Sequence, residues 1–407
     1  MKSFGSFIVS LCMGSLAVAA PAQNTPGETF SVRAVQNPEH VPIGPLALAK
    51  AYNKYNIAMP EDLIKAVERI TSELLGKRDI GTVEADPAPS GYDLEYLAEV
   101  EIGTPAQKLY LDFDTGSSDL WVFSDETPSA QVNGHPKYSP SKSSTAKKLK
   151  GNTWSIGYAD KSSSKGDVYT DTVTIGGLTV KTQAVESATQ VSSQFTKNPG
   201  SKFTGLLGLG FDSLNTVKPT QQKTWFSNIK GGLDKKLFTA NLNHQADGNY
   251  NFGFIDDSEH KGAIAYTALD KSRGYWGFTA TGYGIGDSFV DTDYASIADT
   301  GTSLILLPNS TVQEYWAQVP SAHYNSDIAA ISYDCTETIP DFTFGVGSSK
   351  IKVPASLINY GPADNQGKQC FGGIQAMKGL ALFGDVAMKA ALVVFDEENS
   401  RVGWAQK

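Results

Sequence analysis

The chain has 407 residues, 40% hydrophobic and 19% charged, with 43 acidic against 34 basic side chains and a net charge of −9. An acidic surface repels phosphate backbones and anionic headgroups, which disfavours nucleic acid and membrane surfaces as partners. Five histidines and three cysteines without a Cys-x-x-Cys spacing form no metal-binding pattern, so no metal or cofactor is expected.

At the N-terminus Lys2 precedes an apolar run from Phe4 to Leu16 and then Ala17-Val18-Ala19-Ala20. Residues 1–20 read as a secretory signal, too short to span a membrane, which directs the product out of the cell. Residues 21–78 hold seven basic and six acidic side chains. Within them Pro60, Glu61 and Asp62 open a predicted helix that carries Leu63, Ile64, Val67, Ile70 and Leu74 at helical spacing. The dibasic pair Lys77-Arg78 follows, ahead of a stretch with Gly, Pro and Ser from Gly81 to Gly91, and reads as a processing site. The expected division is a propeptide over 21–78 and a mature chain from about Asp79. That remainder of 329 residues, net −11, is long for one core and suits two lobes.

The mature part reads mostly as strand. Val168, Thr170, Thr172 and Thr174 alternate with Tyr169, Asp171, Val173 and Ile175, and Gly176-Gly177 supplies a hairpin turn before Leu178. Phe342, Phe344 and Val346 alternate likewise, turn near Gly347 and return through Ile351 and Val353. A lobe boundary is placed near Ile255, dividing 79–255 from 256–407. A helix carries Val312, Tyr315, Trp316 and Val319 on one stripe, capped by Asn309 or Ser310 and stopped by Pro320. Asn309-Ser310-Thr311 is also a glycosylation sequon, so Asn309 has two competing roles. Cys12 leaves with the signal. Cys335 and Cys370 remain, an even pair in an oxidising compartment, and are expected to be bridged at a gain of roughly 3–4 kcal/mol in the chain-entropy model.

The most informative pattern is a repeat. Asp114-Thr115-Gly116 recurs as Asp299-Thr300-Gly301, each with apolar residues before it and two hydroxyl residues after it. Gly208, in Gly205-Leu-Leu-Gly208, lies 94 positions after Asp114; Gly384, in Ala-Leu-Phe-Gly384, lies 85 after Asp299. Two related lobes, each giving one carboxylate to a shared site, account for both.

These motifs, with Phe113 to Ser124, Trp154-Ser-Ile-Gly-Tyr158, Asn251 to Asp256, Ile358-Asn-Tyr-Gly361 and Gly372-Gly-Ile-Gln375, make the chain resemble the pepsin-like aspartic proteases. Within that family it is most similar to the secreted fungal penicillopepsin- and aspergillopepsin-like enzymes. The resemblance covers nearly the whole chain. It implies a mainly β, bilobal fold with the active site between the lobes. It also implies a monomeric, acid-active endopeptidase made as a zymogen. Asp114 and Asp299 would be catalytic, sharing one proton and activating a water. Gly116 and Gly301 let backbone N–H groups approach them, and Ser117 and Thr302 would donate to their outer oxygens. Thr115 and Thr300 would lock the two loops together. A flap would carry Tyr158, with Trp121 as its partner, and Ala159 and Asp160 beside it. Asp112, Phe195, Leu206 and Ser303 are further substrate-binding candidates. The expected preference is for large hydrophobic residues around the cut, with weaker acceptance of lysine at P1, since Lys161 competes for Asp160. Peptides and proteins are the expected substrates, and the propeptide an intramolecular inhibitor whose Lys50 or, preferably, Lys54 faces the carboxylates.

Two other classes fit less of the chain. A catalytically inert peptide-binding relative would not need both aspartates and their hydroxyl partners. A carbohydrate-acting carboxylate pair would not need duplicated Asp-Thr-Gly loops.

Overall fold

A computed structural model describes residues 27–37, 40, 42–76, 95–157, 163–192, 195–196, 201–364 and 366–407. The chain folds into a thirteen-stranded sheet, a seven-stranded sheet and a four-stranded sheet, with short helices around them. The fold is mainly β and pepsin-like, as expected.

The repeat read in the sequence is a repeat in space. In the first half, the strand Gln107–Asp114 ends on its aspartate and runs parallel to Phe203–Gly208. The return strand Leu120–Val122 pairs antiparallel with the other side of Phe203–Gly208 and parallel with Leu178–Gln190. In the second half Ser288–Ala298 leads into Asp299 and runs parallel to Ala381–Phe383. The return strand Ile305–Leu307 pairs antiparallel with Ala381–Phe383 and parallel with Ile374–Ala376. The two glycines after the inserted strands explain the matching delays. A Cβ on Gly208 would fall 2.6 Å from the Ser117 carbonyl, and one on Gly384 would fall 2.7 Å from the Leu304 carbonyl. Each glycine lets its strand press against the return from an aspartate loop.

The large sheet crosses residue 255. Ala391–Asp396 pairs with Leu237–Asn243, and Arg401–Gln406 pairs with Ala391–Asp396. Its sixth strand is Phe30–Gln36, inserted between Ala246–Phe252 and Tyr96–Ile102. Phe30 stacks on Phe252 at 4.9 Å, and Val32 and Ala34 are buried. The sequence reading did not anticipate this strand.

The rest of the N-terminal segment forms helices Gly44–Lys54 and Glu61–Gly76. Leu48, Ala49, Ala51, Tyr52, Leu63, Ala66 and Val67 share an apolar cluster with Ile297, Leu304, Leu306, Phe371 and Leu382 of the second half. Burial of this stripe fixes the segment on the molecule, as expected of an amphipathic helix.

The hairpin at Gly176-Gly177 is present, with both glycines at positive φ (57° and 93°) and Ile175 opposite Leu178. Its alternation is not continuous. Val168 faces inward, but so do Asp171, Val173 and Ile175, because the facing residues change phase between Val168 and Asp171. The hairpin Phe342–Val346 to Ser349–Val353 forms in the expected register. The helix Asn309–Trp316 buries Val312, Tyr315 and Trp316. Its N-cap is Pro308, with no side-chain cap, so neither Asn309 nor Ser310 caps it. Cys335 and Cys370 are bridged, with Cα atoms 5.0 Å apart.

Candidate active site

Asp114 and Asp299, both fully buried, stand at the ends of their strands and meet between the two halves. The threonines of the two loops interlock. Thr115 N donates to Thr300 Oγ1 at 3.0 Å, and Thr300 N donates to Thr115 Oγ1 at 3.0 Å. Each hydroxyl then donates across the interface, Thr115 Oγ1 to Ala298 O (3.0 Å) and Thr300 Oγ1 to Phe113 O (2.5 Å). Four hydrogen bonds with pseudo-twofold symmetry therefore set the separation of the loops.

Each aspartate is held by its own loop. Gly116 N donates to Asp114 Oδ1 at 2.8 Å, and Gly301 N to Asp299 Oδ1 at 3.0 Å. Ser117 Oγ donates to Asp114 Oδ2 at 2.6 Å, and Thr302 Oγ1 donates to Asp299 Oδ2. The glycines have a second job. A Cβ on Gly116 would lie 2.5 Å from Asp299 Oδ1, and one on Gly301 would collide with Asp114 Oδ1. Each glycine makes room for the opposite carboxylate.

Lys54, at the end of helix Gly44–Lys54, bridges the pair. Its Nζ donates to Asp114 Oδ1 at 2.8 Å and to Asp299 Oδ1 and Oδ2 at 3.1 and 3.0 Å. Tyr55 OH donates to Asp299 Oδ2 at 2.8 Å. Lys50, the other candidate, reaches a different carboxylate, Asp112, at 3.5 Å. Both lysines thus find acidic partners, and Lys54 takes the central one.

The two aspartates differ electrostatically. Burial works to raise Asp114, but the Lys54 ammonium and the Ser117 hydroxyl outweigh it and hold Asp114 well below the usual carboxylate range. Asp299 is raised, first by burial and then by the neighbouring Asp114 charge, against the pull of Lys54 and Thr302. Two adjacent carboxylates cannot both ionise cheaply, and their protons belong to the pair. Asp112 is pushed up to about 7 by burial, with Lys50 opposing.

The remaining candidates divide. Asp112 lies opposite Leu206, and Leu206 lies opposite Trp121, on three adjacent strands beside Asp114. Phe195 packs edge-on against Trp121 at 5.1 Å, and Trp121 stacks with Trp154 at 6.0 Å. Ser303 is half-buried in the second loop, where its carbonyl accepts from Val386 N at 3.0 Å. Tyr158, Ala159, Asp160 and Lys161 lie outside the described residues, as do Lys77 and Arg78. The arms that lead to Tyr158 are present, with Gly157 opposite Ser163. Asn309 is exposed.

Two carboxylates fixed between pseudo-symmetric β halves, on loops locked to one another, define an aspartic protease. Residues 95–407 match the family model of eukaryotic aspartyl proteases. The chain is 50% identical to endothiapepsin of Cryphonectria parasitica over 396 residues, covering 96% of this chain and 93% of that one. It is 45% identical to podosporapepsin of Podospora anserina over 392 residues (94% and 92% covered). It is 43% identical to aspergillopepsin-1 of Aspergillus oryzae over 403 residues (98% of each). The chain belongs to the eukaryotic aspartyl protease family and is an aspartic endopeptidase, a hydrolase.

Proposed function

We propose that the protein is an acid-active, secreted endopeptidase made as a zymogen, and that this structure is its self-inhibited form. Residues 1–20 are the leader, 21–78 the propeptide released at Lys77-Arg78, and 79–407 the monomeric enzyme. The observation that carries this reading is Lys54 Nζ within 3.1 Å of both candidate catalytic carboxylates. An ammonium there occupies the place where an attacking water must sit. Coverage of more than nine-tenths of three relatives supports a shared N-terminal segment.

Once Lys54 leaves, the ionised carboxylate takes a proton from a bound water. The protonated one donates to the scissile carbonyl as a tetrahedral diol forms, and protons then pass to the leaving amine. Ser117 and Thr302 hold the outer oxygens, and the threonine lock keeps the spacing. Large hydrophobic residues are preferred around the cut, where half-buried Phe195, packed on buried Trp121, offers apolar surface. Asp160 gives weaker acceptance of lysine at P1. Exposed Asn309, free of a capping role, carries a glycan.

Acid release follows from the charges. Asp112 takes up a proton as pH falls through about 7, so Lys50 loses its anionic partner first. Asp114 is depressed, so its pairing with Lys54 is present above its docked pKa and lost only as pH falls through that lower value. Release is therefore stepwise, with Lys54 the last contact to yield.

The test is cleavage of a quenched peptide library against pH by the full chain and by Asp299→Asn and Lys54→Ala variants. Wild type is expected to cleave only after acid exposure. Asp299→Asn should lose at least about 10²–10⁴-fold in rate. Lys54→Ala should need a less acid pulse. Cleavage by Asp299→Asn at the wild-type rate would overturn the dyad. An unchanged activation pH in Lys54→Ala would overturn the lysine's role.

A further inference from the structure

Directly behind the first aspartate loop lies a second carboxyl pair, which the catalytic reading does not use. Asp119 is 3% exposed and Glu186 0%. Asp119 immediately precedes the strand Leu120–Val122, and Glu186 lies on the strand beside it, opposite Trp121 in the parallel pairing with Leu178–Gln190. Both converge on one amide nitrogen: Asn215 Nδ2 lies 2.9 Å from Asp119 Oδ1 and 2.9 Å from Glu186 Oε1. The orientation of that amide is fixed, because Asn215 Oδ1 accepts from the backbone N–H groups of Val217 (3.2 Å) and Gln222 (2.8 Å). Asn215 Nδ2 also reaches Ser118 O at 3.2 Å, and Gly208 N donates to Asp119 O at 2.9 Å. The cluster thus grips the residues that follow Ser117.

The hydrogen-bond accounting does not close if both carboxyls are ionised. Asp119 Oδ1 takes the Thr216 amide as well, at 2.8 Å. Glu186 Oε2 is buried, and among the described residues no N–H or O–H donor reaches it. An ionised carboxylate only accepts, and a buried acceptor without a donor costs about 1–3 kcal/mol, more when charged. A proton on Glu186, given to Asp119, removes the deficit. The second half of the molecule offers a control. The position equivalent to Glu186, facing Leu306 in the matching parallel pair, is Gln375. That neutral amide is fully satisfied: Nε2 donates to Ile331 O (2.9 Å) and Gly372 O (2.8 Å), and Oε1 accepts from Ile331 N (2.9 Å).

We propose that Asp119 and Glu186 form a proton-holding latch that fastens the loop after Asp114 to the first-half sheet, and that loss of its proton as pH rises unfastens this loop independently of the catalytic pair. Asp119 and Glu186 are positioning residues in this scheme. The charges acting on the pair reinforce it. Burial pushes Asp119 up to about 6, with Asp114 adding to the rise. Burial and then Asp119 push Glu186 well above the usual carboxylate range. Among the described residues no cation offsets them. On the surrounding elements, Asp167 pairs with Lys148, Tyr169 donates to Glu126, Asp212 accepts from Thr224 N, and Lys165, Lys181 and Lys218 are exposed. Both carboxyls have raised folded values. Their contribution is therefore complete below the unfolded carboxylate range and falls as pH climbs through about 6 and beyond.

The test uses the full chain carrying Asp299→Asn, so that self-digestion cannot confuse the readout. Tryptophan fluorescence and circular dichroism are followed from pH 4 to 9, with and without Glu186→Gln. Gln mimics the protonated acid, as Gln375 does in the other half. The midpoint of alkaline loss of structure is expected to move up by about one pH unit or more, with little change in melting at pH 4. The exposed control Asp293→Asn should leave the midpoint in place. An unmoved midpoint in Glu186→Gln would overturn the latch, as would equal destabilisation at pH 4 and pH 8. If Glu186→Gln does not fold, the infrared carboxylic-acid band above pH 6 decides. A component of the band that shifts or diminishes in Asp119→Asn supports the shared proton, and a band unchanged in position and strength removes it.

Discussion

The two aspartate loops are built alike where they face each other and unlike where they face away. Thr115 and Thr300, Gly116 and Gly301, Ser117 and Thr302 perform matched tasks at matched distances. Five positions after each aspartate the symmetry ends. The first loop has Asp119, backed by Glu186 and Asn215. The second has Leu304, fully buried against the apolar face of the N-terminal helices. The inner halves must be complementary to one reaction, whereas the outer halves need only be anchored. A polar anchor and an apolar anchor give the same loop geometry, but only the polar one responds to pH.

Grafting the acid into the apolar half is the strongest way to break this contrast. Gln375→Glu places a carboxylate against the Ile331 and Gly372 carbonyls, where the amide now donates to both. We expect a loss of about 3–5 kcal/mol at neutral pH, the usual cost of an uncompensated buried charge. The introduced acid would have a raised folded pKa, so the loss should shrink as pH falls. Thermal melts at pH 4 and pH 7 would measure it. Equal losses at both would mean that shape, not charge, separates the two anchors.

The inner halves predict symmetry instead. Gly116→Ala and Gly301→Ala each push a methyl group into the opposite carboxylate. Displacing a reacting group by about 1 Å costs about 10²-fold in rate. Both variants should lose kcat to a similar degree with the fold retained by circular dichroism. One tolerated and one inactive would show that the loops are not interchangeable at the site.

What was legible in the sequence follows the same divide. The inner halves are short-range and duplicated, so Asp-Thr-Gly-Ser/Thr announced its own partners, and Lys54 could be singled out beside Tyr55. The anchors are long-range. Asp119, Glu186 and Asn215 are separated by 67 and 29 positions, and nothing local marks them as neighbours. The strand Phe30–Gln36 was missed for a related reason: Phe30, Val32 and Ala34 gain meaning only from partners at Ala246–Phe252 and Tyr96–Ile102. Asn309 was misjudged as a cap because the helix begins at Asn309 itself, one residue too early for its side chain to serve the first turn.

The smallest effect sharpens the comparison most. Ser117 lowers Asp114 and Thr302 lowers Asp299, each by donating to a carboxylate oxygen. In the proposed mechanism, once Lys54 has gone, turnover needs one carboxylate ionised and the other protonated, so activity should rise through the lower pKa and fall through the upper one. If Asp114 keeps the charge, Ser117→Ala should raise the lower limb of the pH–rate profile toward neutral pH. If Asp299 keeps the proton, Thr302→Val should move the upper limb upward instead. Each shift should be under about one unit, the size of a single hydrogen bond to a charged group. Profiles of kcat/KM for the activated variants would separate the limbs. Movement of both limbs in both variants would place the proton on the pair as a whole. The asymmetry between Asp114 and Asp299 would then belong to the Lys54-bound form alone, imposed by the helix that covers the site.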